Sequence, residues 1–418
     1  MMNQVEIQKE EKSLWHNKDY LLLWSGQAIS AFGSSASHIV LPLLILDLTH
    51  SPAQAGIVGA FTTIPYVLFS LFIGPFIDRV NRKKIMIFCD IGRTIAFGSV
   101  AIALFLHHIS IVHLYLAALL YGICFVFFDI TEVSSIRKLV GKEQVAAATS
   151  QNSATDGIAA FLGPSIGAAL YQIGKAIPFL IDTLSYVISV ISLLLIKTKF
   201  QEERTVVEKV DIKKDLKEGI SWLFHNKIVR DMAIINAGVS FVFADLYLIL
   251  IVLAKEQKAT ALQIGTIVSI AAVGSILGSI IGAHIQKKFH TGHLIIIANW
   301  IQAFLWLVYI LAPNFIVIGI ITAVISFINS VWAIAQISYR VSLIPDELQG
   351  RVNSVFRFLV YSAIPLGMVI TGFALQAFGA KATIMMFFFV LVVFSIVATF
   401  SRDLRGKTEI NKNVATAS

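Results

Sequence analysis

The chain has 418 residues, of which 57% are hydrophobic and 14% charged. Soluble domains carry about 25% charged residues, so a water-soluble globular protein is excluded and a lipid solvent is required. The net charge of +8 would suit a nucleic-acid binder, but the basic residues fall in short groups between apolar blocks, and no nucleic-acid partner is expected.

The apolar blocks run for roughly 20–28 residues, the length that crosses a ~30 Å hydrocarbon core as a helix. Barrel strands would alternate over about 10 residues, so an all-α integral membrane protein is expected. Residues 1–19 are polar, with neither an apolar core nor a small-residue cleavage site, and no cleaved signal peptide is expected. Cys89 and Cys124 both fall inside apolar runs, which argues against a disulfide framework or a metal cluster.

In chain order, spans are expected near 20–47, 53–77, 84–106, 111–136, 146–173 and 176–196, then near 229–254, 261–286, 292–312, 314–338, 353–378 and 381–401. This gives a six-helix bundle over 20–196, a linker over 197–228, and a second bundle over 229–401, flanked by polar segments 1–19 and 402–418. Within the linker, 211–226 fits an amphipathic helix acting as a lone surface anchor. Arg79, Arg82, Lys83, Lys84, Arg137, Lys138, Lys287, Lys288, Arg340 and Arg351 all fall on the side of the N-terminus, against only Lys175, Lys255, Lys258 and Lys381 on the other. The positive-inside rule then places both termini in the cytoplasm of a multi-pass cell-membrane protein.

The halves repeat. Gln27 matches Asn236, Gln54 and Gly56 match Gln263 and Gly265, Gly74 matches Gly282, and Asp90 and Arg93 match Asn299 and Gln302, all in order and in register. Two pseudo-symmetric bundles of this kind carry substrate sites at the repeat interface in transporters.

Between the second and third spans stands Gly74-Pro75-Phe76-Ile77-Asp78-Arg79-Val80-Asn81-Arg82-Lys83-Lys84. A plain basic loop accounts for the cations but not for Gly74 and Asp78 at fixed offsets. The stretch resembles the cytoplasmic G-x-x-x-D-R-x-x-R-K-K signature of the major facilitator superfamily. The resemblance implies twelve transmembrane helices in the major facilitator fold, with Gly74, Asp78, Arg79, Arg82 and Lys83 forming a cytoplasmic gate. Gln286 replaces the acid in the second half, where a weaker gate is expected. In the fifth span, Gly163-Pro164-Ser165-Ile166-Gly167-Ala168 resembles the exporter signature G-P-x-x-G-G, with Ala168 for the last Gly; a small-residue packing seam with a proline kink reads the same residues structurally. Leu22 to Ser30, Thr62 to Tyr66 and Ile344 to Ser354 resemble the macrolide-efflux and enterobactin-exporter branch.

Ionisable groups inside spans cost roughly 2.5–3.5 kcal/mol each on insertion scales and are functional candidates by default. Asp129, Asp156 and Asp245 lie deepest, and each can take up and release a proton as a cavity changes side. Asp90, Arg93, Glu132 and Arg357 lie nearer the cytoplasmic ends, as an ion-pair network would. Asp182 is placed near the outer end of its span, within reach of water, and His38 is taken as a packing histidine with its hydrogen bonds satisfied.

No Walker loop, catalytic triad or nucleotide-binding domain is present, so neither an enzyme nor an ATP-driven pump is expected, and no cofactor. The expected function is secondary export of a small amphipathic compound, drug-like or macrolide-like, by alternating access with proton antiport, in a monomer embedded in the lipid bilayer. A siderophore exporter is the alternative, and uptake or lipid flipping by the same fold a further one. Importing relatives would be expected to lack Gly163 and Pro164.

Overall fold

The computed structural model describes residues 14–77, 80–198, 200 and 212–401. Among them all regular structure is helical. The first half comprises α1 (Lys18–Thr49), α2 (Pro52–Ile77), α3 (Arg82–Phe105), α4 (Ile111–Ile173) and α5 (Ile177–Leu195). After α6 (Ile212–His225) come α7 (Lys227–Phe243), α8 (Leu246–Glu256), α9 (Ala261–Lys288), α10 (Thr291–Val308), α11 (Phe315–Leu343) and α12 (Gln349–Phe400). Polar residues punctuate the apolar runs. Asn17, Asn81, Ser110 and Asn226 each accept a backbone N–H at the start of the helix that follows, and Thr260 with Gln263 forms a reciprocal capping box.

Two helices are twice the length of a span. The 63-residue α4 turns at Gly141 (φ 73°) and the 52-residue α12 at Gly379 (φ 75°), left-handed conformations that glycine adopts without a Cβ clash. Each therefore supplies two spans. The expected loop over 137–145 is helical apart from that one residue.

The seventh span differs from expectation in the opposite sense. Instead of a continuous helix over 229–254 it is α7 and α8, broken at Ala244 and Asp245, where Asp245 has φ −133° and ψ 40°. On α12, Gly367 packs so close to the carbonyl of Phe241 and the side chain of Ala244 that a Cβ would overlap them. Counting α7 with α8 as one span and α4 and α12 as two each gives twelve.

The seam between the halves is made from four spans in two matched pairs. Gly56 of α2 lies against the Met368 carbonyl and Gly372 of α12; Gly265 of α9 lies against the Pro164 carbonyl and Ala168 of α4. Small residues let these backbones approach, the usual device where lipid offers no hydrophobic drive for helix association. Gly56 and Gly265 are also repeat-related, so the pairing carries the two-fold relation into three dimensions.

The amphipathic helix expected in the linker is α6, but it is no lone surface anchor. Leu223 is fully buried, Gly219 sits on the Arg351 backbone of α12, and Glu218 pairs with Arg351 at 2.8 Å.

Candidate functional site

A cavity of about 640 Å³ opens inside the first half, lined by α1, α3 and both arms of α4. It extends from Arg137 and Val145, near the end of the bundle that carries the basic loops, to Ser34 and Ala159 deeper in. The second arm of α4, after Gly141, presents Thr149, Asn152, Ser153, Thr155 and Asp156 to this space. That explains why this arm is too polar to count among the ten helices that qualify as spans on hydropathy alone: it faces the cavity as well as lipid.

Three carboxyl groups line the cavity, Asp129 and Glu132 from the first arm of α4 and Asp156 from the second. Their fields overlap, since Asp129 and Asp156 both act on Glu132. Arg93 also lines the space, but its charge is committed. Its Nη1 lies 3.2 Å from Asp90 Oδ1, and its guanidinium sits 4.4 Å from the Phe128 ring centroid and 5.4 Å from that of Tyr186. Asp90 accepts in turn from Ser189 at 2.6 Å, and Ser189 from Gln27 at 3.0 Å. Gln27 returns the chain to the cavity wall. Arg137 is the one other cation in the lining, so the three acids outnumber it, with Trp24, Phe125 and Phe128 and hydroxyl and amide groups between.

Of the remaining expected ion-pair residues, Glu132 and Arg357 make no salt bridge among the described residues; Arg357 is exposed, and its field reaches Asp129 from the second half. Asp245 stands apart from the acidic cavity. At the break between α7 and α8 its carboxylate faces Gly59 of α2, 3.9 Å from where a Cβ on Gly59 would lie, and it makes no side-chain capping bond. It thus sits where the two halves meet.

Two expectations are corrected. Asp182 is not within reach of water: it is fully buried against Gly33 of α1, accepting from Ser185 at 3.4 Å. His38 is not a satisfied packing residue: it is exposed inside the bundle, edge-on to Tyr247 at 6.2 Å, and makes no hydrogen bond among the described residues.

Asp78 and Arg79 of the signature lie outside the described residues, and Gly74 lies in the last turn of α2. Arg82 donates to the Ser134 carbonyl at 2.9 Å, and Lys83 to the carbonyls of Leu194 and Ile196 at 3.2 and 2.6 Å. Both cations thus secure helices of their own half, and Lys83 meets the C-terminal end of α5, where a positive charge is favoured. Gln286, standing for the acid in the second half, accepts from Ser338 of α11 at 3.5 Å. Gly163 and Gly167 lie against Ser35 and Ala36 of α1, while Pro164 faces Gly265 across the seam. The exporter signature therefore joins three helices.

At the end opposite the basic loops the halves are tied by polar contacts that sequence reading missed. Asp47 of α1 accepts from Lys255 of α8 at 2.5 Å and from Tyr171 of α4 at 2.8 Å, with Lys175 at 3.9 Å. Nearby, Ser51 donates to Gln376 of α12 at 2.6 Å. Asp47 and Lys255 are not repeat mates: the pairs on either side, Gln27 with Asn236 and Gln54 with Gln263, are offset by 209 residues and set Glu256 opposite Asp47. An acid and a base, each near the end of an apolar run, were the signal available.

This arrangement defines a helical membrane transporter of the major facilitator fold rather than an enzyme. A model of one family, described as transmembrane secretion effector, matches residues 14–415, and the chain belongs to that family. It is 20% identical over 394 residues to the multidrug efflux pump Tap of Mycolicibacterium fortuitum, covering 92% of this chain and 96% of that one. It is 21% identical over 405 residues to macrolide efflux protein A of Streptococcus pyogenes, covering 95% and 98%. Among solved structures, a bacterial homologue of the iron transporter ferroportin in its inward-facing state is similar with a TM-score of 0.74 at 15% identity, covering 93% of this chain and 99% of that one. The same homologue in its outward-facing state gives 0.61 at 14% identity, covering 91% and 98%.

Proposed function

We propose that this protein exports a small amphipathic compound across the cytoplasmic membrane by alternating access, in exchange for protons. The observation that carries the reading is the acidic, aromatic cavity reaching the basic end of the bundle while polar contacts tie the halves at the other end. The positive-inside rule puts the basic end in the cytoplasm, so the cavity takes its load from inside. The better match to the inward-facing than to the outward-facing ferroportin homologue supports the same state. Relatives named for multidrug and macrolide efflux support export and an amphipathic load. An acidic lining disfavours a polyanionic siderophore.

Asp129, Asp156 and Asp245 are the coupling candidates. A carboxyl group loaded with a proton on one side and emptied on the other moves one charge, worth about 2.3 kcal/mol per 100 mV, roughly a fifty-fold solute gradient. Asp78, Arg79, Arg82 and Lys83 form the cytoplasmic gate in this reading. The test is uptake of ethidium and erythromycin into everted vesicles with an acid lumen. Uptake of at least one is expected to collapse with nigericin and to fall more than tenfold in one of Asp129→Asn, Asp156→Asn and Asp245→Asn while binding persists. Full uptake in all three variants would remove proton coupling; uptake of neither probe by the wild type would remove export of these compounds.

A further inference from the structure

A second cavity, of about 400 Å³, lies between the halves and differs in chemistry from the first. Its walls come from α1 and α4 on one side and α8, α9 and α11 on the other. No Asp, Glu, Lys or Arg lines it. Its polar groups are the His38 imidazole, the Asn329 amide, the Tyr247 phenol and the hydroxyls of Ser35, Ser275 and Ser326. Of these, Ser275 is already bonded to Ser330 at 3.0 Å. His38 and Asn329, one from each half, are exposed to the space and make no hydrogen bond among the described residues.

His38 lies 11 residues before the nearer end of the 32-residue α1, Thr49, about 16 Å along the helix axis and well inside a ~30 Å hydrocarbon core. An imidazole there is costly, and a polar group so placed is by default functional. Packing does not account for it, because it is exposed. Ion pairing does not, because no charged side chain lines the space. Metal binding does not, because no other His, Cys or carboxylate lines it. What remains is a ligand that offers hydrogen bonds. A neutral imidazole presents one N–H donor and one acceptor nitrogen, and an amide two donors and an acceptor. Together they fit hydroxyl and carbonyl oxygens of an uncharged group. Ser35 lines both cavities, so the two adjoin.

We propose that the space between His38 and Asn329 is a second subsite, which holds the uncharged, oxygen-bearing part of the exported amphiphile while the remainder occupies the acidic cavity. The proposal rests on the export reading for its load, and its test separates the two. Binding to the purified full chain in nanodiscs is measured by calorimetry with two probes: erythromycin, rich in hydroxyl and carbonyl oxygens, and ethidium, a planar cation with neither. Losing one neutral hydrogen bond corresponds to about tenfold in affinity. His38→Ala and Asn329→Ala are each expected to weaken erythromycin about tenfold and to leave ethidium within about twofold. His38→Gln, which keeps a donor and an acceptor, is expected to restore most of the loss. Unchanged ethidium binding also shows that the variants are folded. Equal loss of both probes, or no loss of erythromycin, overturns the subsite. Binding of ethidium but not erythromycin by the wild type overturns it too and leaves export standing. Binding of both without uptake in vesicles overturns export alone, and binding of neither overturns both.

Discussion

Asp90 and Arg93 form the one ion pair among the described residues in which both side chains are buried, at 0% and 6% exposure. Removing one partner of such a pair leaves a charge without compensation and costs about 3–5 kcal/mol. Asp90→Asn is therefore expected to lower the melting temperature in detergent sharply, and Asp90→Asn with Arg93→Met to recover part of the loss. The repeat-related residues of the second half behave differently. Asn299 and Gln302 are as deeply buried, yet no side-chain nitrogen or oxygen of either finds a partner. Replacing an unsatisfied polar group with an apolar one of similar shape is neutral or stabilising. Gln302→Met should hold or raise the melting temperature, measured beside Asp90→Asn; a fall as large as that of Asp90→Asn would show that the amide is bridged by internal water. Charge in the first half and neutral amides in the second were legible from the sequence, because residue type and repeat register are both one-dimensional facts. The ring cage around Arg93 was not, since Phe128 and Tyr186 reach it from other helices.

Elements were legible in proportion to how far lipid alone dictates them. Apolar length set the spans to within a few residues, while the Asn, Ser and Thr caps at many of their starts went unread. What failed was local geometry set by neighbours. The run Phe243-Ala244-Asp245-Leu246 contains neither Gly nor Pro, so nothing in it announces the break between α7 and α8; the close approach of Gly367 from α12 is seen only in three dimensions. The polar arm of α4 reads as a weak span because it faces a cavity, and a cavity is a property of several helices. The α2–α12 seam gives a direct element-scale test. A methyl group on Gly56 would overlap the Met368 carbonyl and Gly372, whereas one on Gly350 meets nothing within 4 Å. Overpacking costs typically 1–3 kcal/mol, so Gly56→Ala should lower thermal stability. At Gly350, a helical position free of contacts, alanine should be neutral or stabilise by about 0.4–1 kcal/mol. Equal effects of the two, read by thermal unfolding on a size-exclusion column, would mean that the halves do not meet at Gly56.

At the scale of the whole molecule, alternating access requires that contacts at one end be strong enough to close it and weak enough to release. The Asp47–Lys255 pair meets that condition. Both side chains are about a third exposed, 29% and 34%, and pairs with such access to water are worth only about 0–1 kcal/mol. The close glycine packing at Gly56 and Gly265 and the Ser51–Gln376 bond add to it. Each half contributes one charge to the pair, Asp47 from α1 and Lys255 from α8. Loss of the pair should therefore shift the balance between states without unfolding either half. Asp47→Asn is expected to raise the population open at this end by up to about fivefold, the equivalent of 1 kcal/mol. The check is a distance distribution between spin labels at Thr49→Cys and Lys258→Cys, in a background without Cys89 and Cys124. The exchange Asp47→Lys with Lys255→Asp should return the distribution toward that of the parent, although Lys175 and Tyr171 would then face a cation and limit the recovery. An unchanged distribution in Asp47→Asn would mean that the glycine seams alone hold this end shut, and that the charges there serve only to anchor helix ends at the membrane surface.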